Sequence, residues 1–269
     1  MARRVGQFCL RVAGKCDRAD FTPLRGRTSL ALMGANFAKC HIGLEEWTGH
    51  TVLPRHQHEN GYVSVVLRGS YEEAGDSGKR RAQFGNVIVH APFEAHLDRF
   101  SSAGGRILNL PIDRWDISAG VFFIADPDAI VKEAEKDVRH AVATLCGRMR
   151  VEEPKGDDWP ERLASDLCND PSLRLADWAA RNNLAPATVS RGFAQVFGIR
   201  PCEYRLHART RKAWRRVVEA GESLSEIALD VGFSDQAHMT RAMGSLTGRT
   251  PAQWRANVKR VQDGASRSS

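Results

Sequence analysis

Apolar residues change their spacing along the chain, and this separates two kinds of predicted structure. Between about residues 28 and 110 they form short runs divided by glycine and polar clusters, for example Gly61 to Leu67 and Asn86 to Ala91. Valine-rich runs of this length, bounded by turn residues, predict β-strands. In the later part of the chain apolar residues recur every three or four positions, which predicts amphipathic helices. The pattern therefore predicts a multidomain α+β protein, with an all-β unit before an all-α unit.

The clearest helical pattern begins at Ser223. Ser223 and Glu226 form a capping box, which predicts a helix from about Leu224. Gly232 can take the positive φ that ends a helix in a tight turn, and Ser234 is the predicted N-cap of the next helix. The apolar stripe of that second helix turns a set of hydrogen-bonding side chains outward, where they can meet base edges and phosphates: Gln236, His238, Thr240 and Arg241. The segment is thus predicted to be a helix-turn-helix.

An earlier segment repeats this pattern. VSRGFAQVFGIRPCEYR, from Val189, aligns with MTRAMGSLTGRTPAQWR fifty residues later, from Met239. The aligned positions include glycines, prolines, aromatic residues and arginines: Gly198 with Gly248, Pro201 with Pro251, Tyr204 with Trp254, and Arg205 with Arg255. Two helix-turn-helix units in tandem are therefore predicted.

The second helix of the first unit is predicted at about Pro186 to Val196. Its outward residues are Ala187, Thr188, Ser190 and Arg191. Arg191 is the leading candidate for a base contact, because a guanidinium can donate two hydrogen bonds to guanine. The alternatives for Arg191 are a phosphate contact or a structural salt bridge, and they apply equally to Arg241. Two such helices on one rigid connection should enter the major groove about 34 Å apart.

The second unit also carries a family signature. Gly232-Phe233-Ser234-Asp235-Gln236, with Arg241, Gly248, Pro251 and Arg255 after it, resembles the signature of the AraC/XylS family of bacterial transcription regulators. The resemblance covers roughly residues 159–258 and implies a seven-helix DNA-binding domain. The chain departs from the family at Ala185, where an N-cap serine is usual, and at Met239 and Met243, where phenylalanines are usual.

The resemblance also implies partners. They are double-stranded promoter DNA, a small-molecule effector, RNA polymerase and a second copy of the chain in a homodimer. A regulator of this kind is not an enzyme and needs no cofactor. The identity of the effector, the operator sequence and the choice between activation and repression do not follow from the residues.

Three histidines stand out in the β part. His56 and His58 lie two residues apart, so on a strand both face the same side. His96 follows the segment GNVIVHAPFEA, which contains a predicted strand and a proline turn. This arrangement resembles the two cupin motifs, and a cupin-like barrel is a common N-terminal sensor in the same regulator family. Tyr62 stands where the first cupin motif has its metal-binding glutamate.

The histidines have three interpretations. They can hold a divalent metal, since three imidazoles with an open position suit zinc or iron. Together with Tyr62 they can instead line a metal-free effector pocket, or they can be ordinary polar residues. The alternative function is a cupin metalloenzyme with an accessory helical domain. A further alternative is a DNA-binding protein whose barrel serves only for dimerisation.

These patterns divide the chain into six predicted parts. They are an N-terminal arm (1–25), a cupin-like sensor domain (26–125), a helix suited to dimerisation (126–150), a linker (151–159), a tandem helix-turn-helix domain (160–260) and a flexible tail (261–269). The helix is predicted as one continuous element because apolar residues recur at helical spacing from Asp126 to Met149.

Charge supports the DNA interpretation. The formal net charge is +7 and the isoelectric point is about 9.3, which permits a polyanionic partner. From Arg200 to Arg216 there are seven basic residues and a single acid, Glu203. This run is predicted to contact phosphates, with a solvated helix face as the alternative.

The remaining composition bears on the compartment. The six cysteines show no paired metal spacing and are typical of reduced thiols. The N-terminal residues lack the apolar core of a signal peptide, and no run approaches the roughly 18 apolar residues of a membrane span. We therefore expect a cytoplasmic protein with no membrane partner.

Overall fold

The computed structural model describes residues 43–112, 120–152, 158–219 and 221–266. The predicted N-terminal arm and the first part of the predicted sensor domain lie outside these ranges. So do residues 153–157 of the predicted linker and residues 267–269 of the predicted tail. Within the described residues, no helix is both long enough and apolar enough to cross a membrane.

The all-β prediction is confirmed for residues 43–112 and 120–124, which we call the β domain. Its strands are β1 (Gly43–Trp47), β2 (Val52–Gln57), β3 (Tyr62–Gly75), β4 (Gly78–Gln83), β5 (Asn86–His90), β6 (Ala95–Pro111) and β7 (Gly120–Phe123). A short later strand, β8 (Arg150–Val151), pairs with β7. All pairings are antiparallel, in the order β1-β6-β3-β5-β7-β8, with β2 on β6 and β4 on β3.

The two long strands, β3 and β6, divide the sheet into two facing halves. Their pairing is interrupted by register shifts between Val66 and Arg68 and between Gly69 and Tyr71. One half contains β1, β5, β7 and β8, and the other contains β2 and β4. Apolar side chains from both halves meet in one buried cluster, which includes Ile88 and Phe100. The described strands thus resemble a cupin in having two facing halves. Their pairing order is an open path and not a closed ring.

The single helix predicted over residues 126–150 is wrong, because the structure has two helices there. They are α1 (Pro127–Ala134) and α2 (Val138–Arg148). The break occurs because Asp137 takes an extended conformation and its carboxylate accepts hydrogen bonds from the backbone N–H groups of Arg139 and His140. Buried residues of both helices, such as Ile130 and Leu145, pack on the sheet of the same chain. That apolar stripe is therefore occupied and is not available for dimerisation.

Seven helices follow, as the family resemblance implies. They are α3 (Trp159–Asn169), α4 (Leu175–Arg181), α5 (Pro186–Phe197), α6 (Pro201–Glu219), α7 (Leu224–Asp230), α8 (Gln236–Thr247) and α9 (Pro251–Ser266). The linker is shorter than predicted, since Val151 lies in β8 and Trp159 opens α3. The predicted tail is helical as far as Ser266, because α9 continues through it.

Two buried clusters organise these helices. The first gathers α3, α4 and α5 around Phe193 and Phe197. The second gathers α7 and α8 around Met239 and Met243. The long helix α6 contributes Tyr204 to the first cluster and Trp214 to the second. It therefore joins the two helix-turn-helix units.

Candidate functional site

The first helix-turn-helix consists of α4 and α5. Val189 and Phe193 of α5 are fully buried. Helix α4 contributes Leu175, Trp178 and Ala179 to the same cluster, as predicted. The turn passes through Asn183, whose φ is 54°, a left-handed conformation that asparagine tolerates better than most residues. Helix α5 has no side-chain cap, since its N-cap residue is Ala185.

The second helix-turn-helix consists of α7 and α8. The predicted capping box is confirmed, with Ser223 and Glu226 each accepting a hydrogen bond from the other's backbone N–H. Gly232 takes the predicted positive φ, 91°. The prediction that Ser234 is the N-cap of α8 is wrong. Asp235 caps α8 instead, because it directly precedes the first helical residue and its Oδ1 accepts the N–H of His238 at 2.7 Å.

The internal repeat extends to the hydrogen bonds that close each unit. Gly198 and Gly248 end α5 and α8 in the same left-handed conformation, with φ of 68° and 71°. Arg205 donates to the carbonyl of Leu173 at 2.6 Å. The equivalent Arg255 donates to the carbonyl of Glu222. Each arginine thus binds the backbone two residues before the first helix of its own unit, a role that the repeat alone did not predict.

The predicted reading residues of α5 lie near its N-terminal end. Ala187, Thr188 and Arg191 are exposed, while Ser190 is half-buried. The first turn of this helix therefore presents a methyl group, a hydroxyl and a guanidinium to solvent. These groups can contact base edges and phosphates in a major groove.

The predicted reading residues of α8 are only partly free to face outward. Gln236 and Arg241 are exposed. His238 is half-buried, with its ring 5.0 Å from that of Phe233 and its Nδ1 3.2 Å from the hydroxyl of Ser234. Thr240 donates its hydroxyl to the carbonyl of Gln236 at 2.9 Å. His238 and Thr240 are half-buried and their polar groups have partners within the unit, and their contact with DNA stays a prediction.

Most of the predicted phosphate-contacting run is also engaged inside the protein. Arg205 binds a backbone carbonyl, as described above, and Arg209 donates to the carbonyls of Gly232 and Pro171. Arg211 pairs with Asp76, and Arg216 pairs with Glu222 and Asp230. The exposed members of the run are Arg200, Lys212 and Arg215. A continuous phosphate-binding stripe is therefore not formed, because tertiary partners take up four of the seven charges.

Strand β2 of the β domain contacts both helix-turn-helix units. Arg55 donates through Nη1 to the carbonyl of Phe197, the last residue of α5, at 3.1 Å. Gln57 donates through Nε2 to the carbonyl of Leu246, near the end of α8, at 3.0 Å. These two side chains, two residues apart on one strand, bind the C-terminal ends of both predicted reading helices. The opposite ends of those helices carry the predicted reading residues.

A buried carboxylate strengthens this contact. Asp76 pairs with Arg55 of the β domain and with Arg211 of α6, and its Oδ2 accepts the N–H of Ala95 at 2.9 Å. Burial by itself would raise the pKa of Asp76, but the two guanidinium groups outweigh burial and lower the pKa below its ordinary value. Asp76 is therefore ionised at neutral pH. Tyr204 of α6 donates to the carbonyl of the same residue at 3.1 Å.

The structure brings together the predicted residues His56, His58, Tyr62 and His96. The ring centroids of His56 and His96 are 4.4 Å apart, and those of His58 and Tyr62 are 4.8 Å apart. The hydroxyl of Tyr62 lies 3.0 Å from Nε2 of His96. One ligand atom from each of the three histidines lies within 4.8 Å of the others. These rings contact one another closely, which suits an ion better than a large organic molecule. A role in binding stays a prediction.

Sequence reasoning missed three further members of this group, Glu73, His90 and Asp98. Glu73 lies opposite Asp98 in the pairing of β3 with β6, and His90 lies opposite Tyr62 in the pairing of β3 with β5. The spacing of His96 and Asp98, two residues apart on one strand, could have indicated Asp98. Glu73 gave no such signal, because the adjacent pair of acids at 72 and 73 resembles a solvated strand.

The charge states of this group follow from its burial. Burial would raise the pKa of Glu73, but His90, Arg80 and His96 lower it to about 2. Burial lowers the pKa of His90 well below its usual value, so His90 is neutral at pH 7. Burial also opposes the charged form of His96, but Asp98 and Glu73 outweigh it and raise the pKa of His96 well above its usual value.

Comparison with known proteins supports the helix-turn-helix assignment. Residues 178–257 match a family described as a helix-turn-helix domain. The chain is 24% identical over 187 residues to the arabinose operon regulatory protein of Escherichia coli K12, which covers 69% of this chain. The aligned region spans 61% of the length of that relative.

Two solved structures are also similar to this chain, at lower sequence identity. The C-terminal domain of AraT, a response regulator from Geobacillus stearothermophilus, is 23% identical with a TM-score of 0.36, covering 39% of this chain and 88% of that one. ToxT from Vibrio cholerae, solved with unsaturated fatty acid bound, is 10% identical with a TM-score of 0.38, covering 82% and 96%. Both TM-scores are below 0.5, so these two likenesses support no inference by themselves.

The family assignment rests on three observations that agree. The tandem repeat is present in both sequence and structure, and the signature from Gly232 to Arg255 is in register. The matched helix-turn-helix domain covers the first unit except the first three residues of α4, and the whole of the second. The similarity to the arabinose operon regulatory protein extends beyond that domain. Together these findings support an AraC/XylS family regulator, with the helix-turn-helix domain matched over residues 178–257.

Proposed function

We propose that this protein regulates transcription by binding double-stranded promoter DNA through the N-terminal turns of α5 and α8. One observation carries the proposal: two units of the same construction expose the first turns of their second helices, while strand β2 binds the opposite ends. In a helix-turn-helix it is the N-terminal part of the second helix that meets base edges in the major groove. The N-terminal ends of α5 and α8, opposite the ends that β2 binds, are therefore the ends that the proposed activity requires.

The reading residues have unequal roles in this proposal. Arg191 and Arg241 are exposed at equivalent positions and can each donate two hydrogen bonds to guanine. Ala187, Thr188 and Gln236 have shorter side chains and supply contacts beside these arginines. Ser190, His238 and Thr240 are half-buried and support the shape of the reading surface more than they contact bases.

The proposal extends to control by a ligand in the β domain. His56, His58, Tyr62 and His96 are its proposed binding residues. His56 lies on β2 between Arg55 and Gln57, the two residues that bind the ends of the reading helices. A ligand that moves β2 would therefore change how the two helices are presented to DNA. A homodimer and a contact with RNA polymerase are further parts of the proposal, and both rest on the family resemblance alone.

The proposed domain organisation follows the same order. A sensor domain (26–125) and its packed helices (126–150) precede the reader (160–260), with the linker between β8 and α3. The metalloenzyme alternative gains no support from the comparisons, because the curated relative is named as a regulatory protein.

Salt-dependent binding tests the proposed DNA contact. Full-length protein is titrated with duplex DNA from upstream of its own gene and with random duplex, at several salt concentrations. We expect tighter binding to the upstream DNA, and an affinity that falls steeply with salt because phosphate contacts release counterions. If folded protein binds neither duplex at low salt, or binds both equally, sequence-specific regulation is contradicted.

A further inference from the structure

A carboxylate without hydrogen-bond partners lies at the centre of the β domain. The side chain of Glu73 is completely buried, and neither of its oxygens has a hydrogen-bond partner in the structure. Both ring nitrogens of His90, which is also buried, lack hydrogen-bond partners. Buried polar groups in native proteins are nearly always hydrogen-bonded, because burying them without a partner is unfavourable. Glu73 has Arg80, His90 and His96 as neighbours at 3.5 to 3.6 Å, which is too long for hydrogen bonds, and a ligand bound between these groups would supply the missing short contacts.

The charges around Glu73 indicate the sign of that ligand. Three buried carboxylates lie close together, those of Glu73, Glu94 and Asp98. Arg80 contributes one guanidinium, 3.5 Å from Glu73 and 4.0 Å from Glu94. With a protonated His96, these groups carry a formal charge of −1, and a metal that displaces the proton of His96 would meet a charge of −2. A divalent cation would neutralise them.

The distances fit a coordination site. Oε2 of Glu73 lies 3.6 Å from Nε2 of His90 and 3.6 Å from Nδ1 of His96. Zinc binds such nitrogen and oxygen ligands at about 2.0 to 2.2 Å, so neighbouring ligands of a tetrahedral site lie about 3.3 to 3.6 Å apart. Oδ1 of Asp98 lies 3.2 Å from Nδ1 of His96, so this carboxylate is a direct neighbour of one proposed ligand.

We propose that the β domain binds a divalent transition metal on Glu73, His90 and His96. Two imidazoles and a carboxylate are ligands that suit zinc, iron and related ions. Arg80 faces the other oxygen of Glu73, and Tyr62 holds Nε2 of His96, so both ligands are oriented by neighbours. The histidine set of the cupin motif, His56, His58 and His96, shares one member with this site but contains no carboxylate. An ion on that set would leave both Glu73 and His90 outside its coordination.

The site lies next to the contact between the two parts of the protein. Gly75 pairs directly with His96 across β3 and β6, and a side chain at Gly75 would come within 3.1 Å of His96. The next residue is Asp76, which binds Arg55 and Arg211. Ala95, beside His96, donates its N–H to Asp76. Metal bound between Glu73 and His96 would therefore brace the two strands that hold the helical domain. This consequence rests on the proposed function, whereas the metal site does not.

Metal titration of the full-length protein tests the site. Chelator-treated protein is titrated with Zn²⁺ by calorimetry and with Co²⁺ by visible absorption, which reports four-coordinate geometry. We expect one ion per chain. Glu73→Gln and His90→Gln should weaken Zn²⁺ binding more than about 100-fold, since changes in outer-shell residues alone cost about 10- to 100-fold. Each variant is first checked for native unfolding behaviour, and Glu73→Gln keeps the shape of the side chain.

Two control variants sharpen the result. His140→Gln changes an exposed histidine on α2 and should leave Zn²⁺ affinity unchanged. His56→Gln separates the two histidine sets, and the proposal predicts that stoichiometric binding persists. The proposal is overturned if folded wild-type protein binds neither ion, or if His56→Gln abolishes binding while Glu73→Gln does not.

DNA binding is measured separately, with and without Zn²⁺. We expect the metal to change the affinity of wild-type protein for upstream DNA and to leave that of Glu73→Gln unchanged. Metal binding without any DNA binding would contradict the proposed function and leave the site standing. DNA binding by protein that takes up no metal would contradict the site alone.

Discussion

The first helix-turn-helix unit meets the β domain through charged and polar groups, whereas the second meets it mainly through an aromatic side chain. Arg55 and Arg99 donate to carbonyls at the end of α5, and Asp76 pairs with Arg211 on the connecting helix. In the buried cluster around the second unit, Phe93 packs against Trp214 of α6 and Trp254 of α9, with ring centroids 5.1 and 5.6 Å apart. The same fold, duplicated, is thus attached in two ways.

Because of this difference, the two contacts respond differently to pH. An ion pair depends on the protonation of its carboxylate, whereas apolar burial does not change with pH. The charged contact can therefore be weakened while the apolar contact persists. The two reading helices belong to units that α6 joins. The attachment of each helix to the β domain can nevertheless be altered separately.

The largest effect is expected at the apolar contact. Phe93→Ala should lower the free energy of unfolding by about 3 to 5 kcal/mol, because it removes a buried aromatic ring and leaves a cavity. Denaturant unfolding followed by tryptophan fluorescence measures this, since the ring contacts Trp214 and Trp254. The loss should be the same at pH 5 and pH 7. A loss below about 1 kcal/mol would show that the contact in the structure does not form in solution.

Asp76→Asn should lower the free energy of unfolding by about 3 kcal/mol at neutral pH, because it leaves two guanidinium groups without their carboxylate. The folded-state pKa of Asp76 is depressed, so its contribution is present above its ordinary pKa and is lost as pH falls through the folded-state value. The difference between wild type and variant should therefore shrink below about pH 4. A pH-independent difference would mean that the charge of Asp76 is not what holds the contact.

The reading helices are compared by Arg191→Ala and Arg241→Ala. We expect Arg191→Ala to weaken specific DNA binding by about 1 to 3 kcal/mol and to leave binding to random duplex nearly unchanged. Arg241→Ala should have a smaller effect, since the polar groups of its neighbours His238 and Thr240 already have partners within the unit. Fluorescence anisotropy with both duplexes measures this. An equal loss on both duplexes would show that Arg191 contacts only phosphate.

The smallest effects concern the helix caps. Asp235→Ala should lower the free energy of unfolding by about 1 kcal/mol, because α8 loses the side chain that accepts an N–H of its first turn. Ala185→Asp should raise the free energy by about 0.5 to 1 kcal/mol by capping α5 in the same way. Thermal unfolding of both variants measures these shifts. If Ala185→Asp is destabilising, the absence of a cap at α5 is a requirement of its surroundings.

Local signals were enough to predict much of the helical domain. The capping box at Ser223, the turn at Gly232 and the fifty-residue repeat depend on residues close in sequence, and the structure confirms them. The single helix over residues 126–150 was wrong for an equally local reason, since Asp137 can cap a new helix within a continuous apolar pattern.

The remaining features depend on partners distant in sequence. The charge of Arg211 is taken up by Asp76, 135 residues away, and no pattern near Arg211 indicates this. Glu73 lies next to His90 and His96 only because β3 pairs with both β5 and β6. The histidine cluster could be predicted in part, because His56 and His58 share a strand face. Its carboxylates could not.

Hydroxyl-radical footprinting on upstream DNA tests the central claim, that two equivalent units read DNA from one face. We predict two protected patches about 10 base pairs apart on the same side of the duplex. Arg191→Ala should weaken one patch and Arg241→Ala the other. A single patch, or two patches that weaken together with either variant, would contradict the account.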